Sequence, residues 1–215
     1  AVAALQWMFL DNWASQKAEA LPDRDYFPQL PEAGDKVLRV LRSGSGDTHE
    51  VYKAYILAIQ SATRSIHITA AYFVPDPGIL KALIAASRRG VGVEIILPSI
   101  SDGGPVLQAG HACYKPMLKA GIRIFELNAA VLHAKTAVID GSWSTVGSTN
   151  LDTRSFLHNK EVNVVVMGDG FGQEMESAFR DDLKDSREIT LAQWERRPYF
   201  QRFREWVARL FSYWL

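Results

Sequence analysis

Among 215 residues the chain carries a single cysteine, Cys113. One thiol excludes an internal disulfide framework and a multi-cysteine metal cluster, and it suits a reducing compartment. Cys113 reads as a small buried apolar residue on a helix rather than a reactive group. Neither sign of charge is in excess: Lys+Arg and Asp+Glu number 24 each. No global field therefore attracts a polyanion such as duplex DNA, nucleic acid is not an expected partner, and any anion binding must be local. No apolar run approaches the roughly 18 residues of a membrane span. The opening AVAALQWMFL has no basic stretch before it and no cleavage site after it, which argues against a signal peptide. Because the sequence starts at Ala1 and reaches its first methionine at Met8, it is expected to be a processed product, a tag-cleaved chain or a piece of something longer. Internal repeats and low-complexity tracts are lacking as well.

What is present is hydrophobic patterning of two periods. Helical spacing runs from Val2 to Gln16, after which three prolines and a glycine in PDRDYFPQLPEAGD break regular structure. A strand is predicted at 36–42, the flexible SGSGD follows, and a helix at 48–61 comes next. SIHITAAYFV reads as one strand, with Ile66, Ile68 and Ala70 alternating against Ser65, His67 and Thr69. Pro75 and Pro77 stop it and start a helix that Arg88, Arg89 and Gly90 close favourably. VGVEIILP is a β-branched run of the buried-strand kind; after the loop SISDGG come a helix at 108–120 and the strand IRIFEL. KTAVID and WSTVG form a hairpin about Asp140 and Gly141; a short helix at 151–156, the strand EVNVVVM and a helix at 171–184 follow. This alternation predicts an α/β fold, a mixed central β-sheet flanked by helices on both faces. The chain divides into an N-terminal helix and Pro-rich connection (1–35), a main α/β domain (36–188) and an aromatic, arginine-rich amphipathic C-terminal helix (189–215).

Chemistry concentrates in LHAKTAVIDGSWSTVGSTN. His133, Lys135, Asp140, Gly147, Ser148 and Asn150 compose the pattern H-x-K-x4-D-x6-G-S-x-N. On a strand, residues two apart share a face, so His133 and Lys135 are expected to point together. An imidazole nitrogen can attack phosphorus while an ammonium offsets charge on the nonbridging oxygens. Lys135, Ser148 and Asn150 are the expected phosphate-binding groups, and Gly147 permits close backbone approach. Asp140, before a glycine at a strand turn, also suits a local backbone acceptor. A nucleophilic imidazole needs an acceptor on its other nitrogen, and Glu161 is the candidate; an ordinary strand-end carboxylate is the alternative. Asn163 is a further candidate for the same pocket. His49, His67, His111 and His158 show no metal-ligand spacing and read as structural.

The motif resembles the signature of the phospholipase D superfamily, and the resemblance covers most of the chain. AAYFVPD (70–76), RRGVGVEIILP (88–98), KPMLKAGIRIFE (115–126), VGSTNLDTRSF (146–156) and NKEVNVVV (159–166) are similar to the C-terminal half of bacterial cardiolipin synthases. So are the opening AVAALQWMFLDNW and the ending QWERRPYFQRFREWVARLFSYWL. The resemblance implies one copy of a phospholipase D-like domain with His133, Lys135 and Asp140 as its catalytic motif. Asp140 is there mainly structural, and Glu161 orients the histidine. It implies transfer of a phosphatidyl group between two phosphatidylglycerols through a phosphohistidine, with His133 as nucleophile or as acid/base. No cofactor is implied, since protein cations stand where a metal would.

Such enzymes use two motifs. Only His158 among the other histidines has a lysine two residues on, Lys160, and the fifth residue beyond it is Val165, not aspartate. The chain thus supplies half a site, completed by an N-terminal half with a second motif or by a second copy as a homodimer. Other phospholipase D-type enzymes, phospholipases or nucleases, share the motif, and an isolated half can be an inert module. Membrane contact, peripheral and on the cytoplasmic side of a bacterial membrane, follows from the lipid substrate. In the tail, Phe200, Phe203, Trp206, Val207, Leu210, Phe211 and Trp214 recur at helical spacing beside several arginines. That pattern fits an interfacial helix or one packed on the domain's own core.

Overall fold

The computed structural model describes residues 1–17, 19–44, 46, 49–100 and 104–210, and of Arg209 the backbone only. The loops read at 43–47 and 99–104 lie partly, and Thr48 as a helix start, Phe211 and Trp214 wholly, outside the described residues. Helix α1 (Val2–Ser15) precedes strand β1 (Val37–Ser43), helix α2 (Glu50–Ser61) and strands β2 (Ser65–Ala70) and β3 (Phe73–Val74). Then come α3 (Pro77–Arg88), β4 (Gly92–Pro98), α4 (Gly104–His111), α5 (Tyr114–Lys119) and β5 (Arg123–Leu127). The motif region gives β6 (Lys135–Ile139), β7 (Trp143–Gly147), β8 (Leu151–Asp152) and α6 (Thr153–Leu157). The chain continues through β9 (Glu161–Met167), α7 (Asp169–Lys184), β10 (Ser186–Ile189), α8 (Leu191–Glu195) and α9 (Tyr199–Leu210).

Eight strands form one mixed sheet in the order β1-β9-β7-β6-β2-β4-β5-β10. β2, β4 and β5 run parallel, and β6 turns back against β2 with Lys135 opposite Ala70. Side chains alternate across the sheet, as period-two strands require. Ile66, Ile68, Ile95 and Ile124 enter the main core beneath Tyr55 and Ile59 of α2 and Leu83 and Ala86 of α3. Their neighbours Ile96, Phe125 and Leu127 face the other way and meet Phe179 of α7. Burial of each such aliphatic side chain contributes about 1.5–3 kcal/mol. His67 latches α7 to that second face: its ring stacks on Phe179 at 4.7 Å, and its Nδ1 lies 2.8 Å from the Glu176 carboxylate. Helices therefore cover both faces, and the sheet is mixed, as the patterning predicts.

Three local readings need correction. SIHITAAYFV is not one strand: β2 ends at Ala70, and Phe73–Val74 pairs in parallel with β8 instead. The helix read over 108–120 is two, because Pro116 is tolerated only within a first turn and α5 must restart just before it. Cys113 consequently lies between helices, half-buried rather than buried. The tail read as one helix over 189–215 begins in a strand, β10 against β5, and then divides at Pro198 into α8 and α9.

Candidate active site

The strand directions bring the motif to one end of the sheet. β2 leaves there at Ala70, β7 at Gly147 and β1 at Ser43, while β6 enters after His133 and β9 enters at Glu161. This is the carboxyl end of the parallel strands, where open α/β sheets bind ligands. The short β3–β8 pair clips the segment after Ser148 to the exit of β2, with Leu151 N–H donating to the Tyr72 carbonyl at 3.2 Å.

His133 is exposed, just outside β6, and its imidazole makes no hydrogen bond among the described residues. Lys135 is buried, only 7% exposed, and its Nζ donates to the His133 carbonyl oxygen at 2.7 Å. The ammonium is thus held beside the backbone that carries the imidazole. A buried ammonium so held supplies a fixed positive charge of the kind that stabilises a phosphoryl group.

Ser148 is exposed; its backbone N–H donates to the Val162 carbonyl and its Oγ accepts from Val162 N–H at 3.0 Å. Its hydroxyl donates to the Glu161 carboxylate at 2.5 Å, and Asn159 donates to the same carboxylate at 3.4 Å. Glu161 therefore faces Ser148, and not the His133 imidazole expected from the sequence. Asn163 does not line the open face either: it is buried, donating to Thr145 and accepting from Thr149 N–H at 3.2 Å. Its amide fills the space beside Gly147, where a Cβ would meet Asn163 Oδ1 and the Val162 carbonyl at 2.3 Å.

Asn150 is half-buried, and its Nδ2 points to Ser155 Oγ at 3.5 Å. Behind it, Asp152 caps α6 by accepting from Ser155 N–H at 2.6 Å. Burial pushes the Asp152 carboxyl above the usual carboxylate range; bonds from Ser155 oppose the rise, and the nearby Glu161 charge adds to it. Asp152 and Ser155 were not singled out in the sequence, although Asp-x-x-Ser ahead of an apolar pair is a helix-start signal.

Asp140 belongs to the motif by spacing but not to this end of the sheet. It follows β6, roughly 20 Å from His133 at the strand rise. There, at φ 53°, its carboxylate accepts from Thr63 N–H, Thr63 hydroxyl, Arg64 N–H and Ser65 N–H at 2.7–2.9 Å. Burial alone would raise its pKa, but the N–H groups of Ser65, Thr63 and Arg64 outweigh it and hold the carboxyl below the usual range. A lowered carboxylate pKa stabilises the fold above the unfolded value, and that contribution disappears as pH falls through the folded value. Asp140→Ala should therefore cost about 1–2 kcal/mol at pH 7 after allowance for partial exposure, or about 3–6 °C in Tm. Thermal melts between pH 7 and 3 should show the gap from wild type narrowing below about pH 4.

Comparison with known proteins follows the same lines. The sequence matches the family described as "Cardiolipin synthase, PLD-like domain" over residues 55–183. It is 36% identical over 207 residues to cardiolipin synthase A of Pectobacterium atrosepticum, covering 94% of this chain and 42% of that protein. A cardiolipin synthase of Staphylococcus aureus is 35% identical over 216 residues, 99% of this chain and 44% of the relative. The chain thus spans under half the length of these relatives. In fold it resembles Nuc, a phospholipase D family member from Salmonella typhimurium, with a TM-score of 0.63 at 24% identity over 73% of this chain and 99% of that one. A phosphatidylserine synthase from Haemophilus influenzae superposes with a TM-score of 0.66 at 11% identity, covering 83% of this chain and 47% of the other.

Proposed function

The chain belongs to the cardiolipin synthase, PLD-like domain family, and on that premise we propose that it supplies one half of a phosphatidyltransferase active site. The substrate in this reading is phosphatidylglycerol. One histidine of the completed site attacks phosphorus, and an N–P bond forms as the P–O bond to glycerol breaks. The second histidine gives its proton to the leaving alkoxide. It then takes the proton of a second phosphatidylglycerol's terminal hydroxyl, which displaces the histidine and yields cardiolipin. His133 fills one of these two roles. Lys135, Ser148 and Asn150 bind the phosphate, and Glu161 acts through Ser148. The partner motif comes from residues outside this sequence or from a second copy of the chain.

The observation that carries this reading is an exposed imidazole with no hydrogen bond among the described residues, on the open end of the sheet, with a buried ammonium bonded to the backbone carbonyl of the same histidine. A nucleophile or proton carrier must keep a ring nitrogen available, and an open face leaves room for a second half-site. The test is to incubate the chain with labelled phosphatidylglycerol, alone and with a separately made N-terminal half of a relative. Cardiolipin formed only in the mixture supports two unlike halves; activity of the chain alone that falls on dilution supports a homodimer. Failure under both conditions overturns the proposal.

Peripheral membrane contact through α9 is part of the same proposal. Among the described residues no helix is long and apolar enough to cross a membrane. The aromatic stripe of α9 is not packed on the core: Phe200 is 72% exposed, Phe203 60% and Trp206 58%. Glu205 instead turns inward to a bidentate pair with Arg197, and Glu195 pairs with Lys115 at 2.9 Å. With both acids matched, the exposed Arg196, Arg202 and Arg204 remain for an external anion. That combination favours an anionic lipid interface, and the reducing environment suited to Cys113 supports the cytoplasmic side in this reading. Sedimentation with phosphatidylglycerol vesicles should show binding that falls about tenfold in Phe203→Ser/Trp206→Ser and weakens at high salt, with little binding to phosphatidylcholine vesicles.

A further inference from the structure

Between α1 and the β1–β9 edge of the sheet lies a cavity of about 540 Å³ that shares only Glu161 with the transfer chemistry above. Leu5, Met8 and Phe9 of α1 form one wall; Arg42, Lys160 and Glu161, at the sheet end, stand opposite. Helix α1 buries none of its residues, and Leu5 and Phe9 are 44% and 55% exposed. Polar pins hold it in place instead. Lys160 Nζ donates to Asn12 Oδ1 and Ser15 Oγ, both at 2.9 Å, and Arg42 lies 3.6 Å from Asp11 and over the Trp7 ring. A helix pinned at its polar positions and standing off at its apolar ones leaves a gap that water fills poorly. Its volume is that of a small-molecule site.

Two further features say what fits. The cavity shares Glu161 with the motif, whose Ser148 hydroxyl bonds that carboxylate, so a ligand bound at the motif can extend into it. Of its four charged lining groups, Arg42 is matched by Asp11 at 3.6 Å and Glu161 accepts from Ser148 and Asn159. The Lys160 ammonium, by contrast, bonds only the neutral oxygens of Asn12 and Ser15 and makes no ion pair among the described residues. An apolar wall facing one ammonium without a carboxylate partner among the described residues, next to the motif, suits an amphiphilic anion. We infer that this cavity seats the acyl-bearing glycerol of the phospholipid whose phosphodiester lies at the motif, an assignment that rests on the function proposed above.

Calorimetric titration of the whole chain tests it with two probes. One is dihexanoyl phosphatidylglycerol below its micelle concentration; the other is glycerophosphoglycerol, the same diester without acyl chains. Burial of a few methylenes predicts that the wild type binds the acylated probe at least about tenfold more tightly. Met8→Ser/Phe9→Ser should erase that preference while leaving affinity for the bare diester and the melting temperature unchanged. Lys135→Ala should weaken both probes together and keep their ratio. Equal binding of the two probes by wild type, or a preference that survives in the double variant, overturns the cavity assignment and leaves the motif reading standing. Loss of dimerisation in the double variant without loss of preference identifies a second copy as the occupant and overturns it too. If neither probe binds the wild type, the cavity assignment falls, and the transfer assay with the added N-terminal half decides the motif reading separately.

Discussion

His133→Ala should lower transfer by the assembled enzyme by roughly 10⁴-fold or more while moving the melting temperature by no more than about 1 °C. The two halves of this expectation have separate causes. Stability is unaffected because the side chain is exposed and makes no hydrogen bond among the described residues, so truncation removes no packing and strands no partner. Activity is lost because either role open to His133, nucleophile or proton carrier, requires a nitrogen that alanine lacks. Paired melting curves and labelled-lipid assays on the same preparation separate the two effects. Turnover that survives the substitution refutes the site; a fall in Tm matching the activity loss means that the imidazole is structural after all. Lys135 offers the contrast, since it is buried and bonded to the His133 carbonyl, so that its removal should disturb stability and chemistry together.

How much of this was legible in the sequence depends on how local the cause is. Strand β2 was readable because Ile66 and Ile68 alternate with His67, and the structure puts the isoleucines in the main core and the histidine against Phe179. Helix α3 was readable because Pro75 and Pro77 announce it, and Pro77 does open the helix; the Asp76 carboxylate, which accepts from Gly78 and Ile79 N–H, adds a cap that was not singled out in the sequence. The end of β2 at Ala70 was not legible, because its cause is pairing of Phe73 with Leu151, far along the chain. Strand β10 escaped notice for a similar reason: SREI is short and charged, and only the edge of β5 makes it a strand. Within the motif, residue types and spacing identified the candidates, but the direction of each side chain depends on contacts across the sheet. Glu161 goes to Ser148 because β7 and β9 pair in a register that sets Gly147 opposite Asn163. Asp140 lies far from His133 because the strand between them runs the length of the sheet.

The glycines of α7 give the largest stability prediction and show why packing overrules propensity. Gly170 and Gly172 both lie in the first turn of the helix, where alanine is intrinsically preferred by about 1 kcal/mol. A Cβ on Gly170 would meet only the Lys36 ammonium at 3.4 Å, the movable end of a flexible side chain. On Gly172 it would lie 1.8 Å from the Gly141 carbonyl oxygen and 2.5 Å from its carbon, both backbone atoms. Those atoms cannot yield independently, because Asp140 and Gly141 form the tight positive-φ turn between β6 and β7, and Gly168 N–H bonds the Ser142 carbonyl at 2.8 Å beside them. Gly172→Ala must therefore lift the start of α7 from the sheet and strain the grip of Phe179 on the second core, at a cost of about 3 kcal/mol or more, equivalent to about 6–12 °C in Tm. Gly170→Ala should instead be neutral or stabilising by up to about 1 kcal/mol. Chemical denaturation of the two variants side by side decides the matter: similar midpoints would mean that α7 does not rest on the Asp140–Gly141 turn, and the account of how the two ends of β6 are held would have to be redrawn.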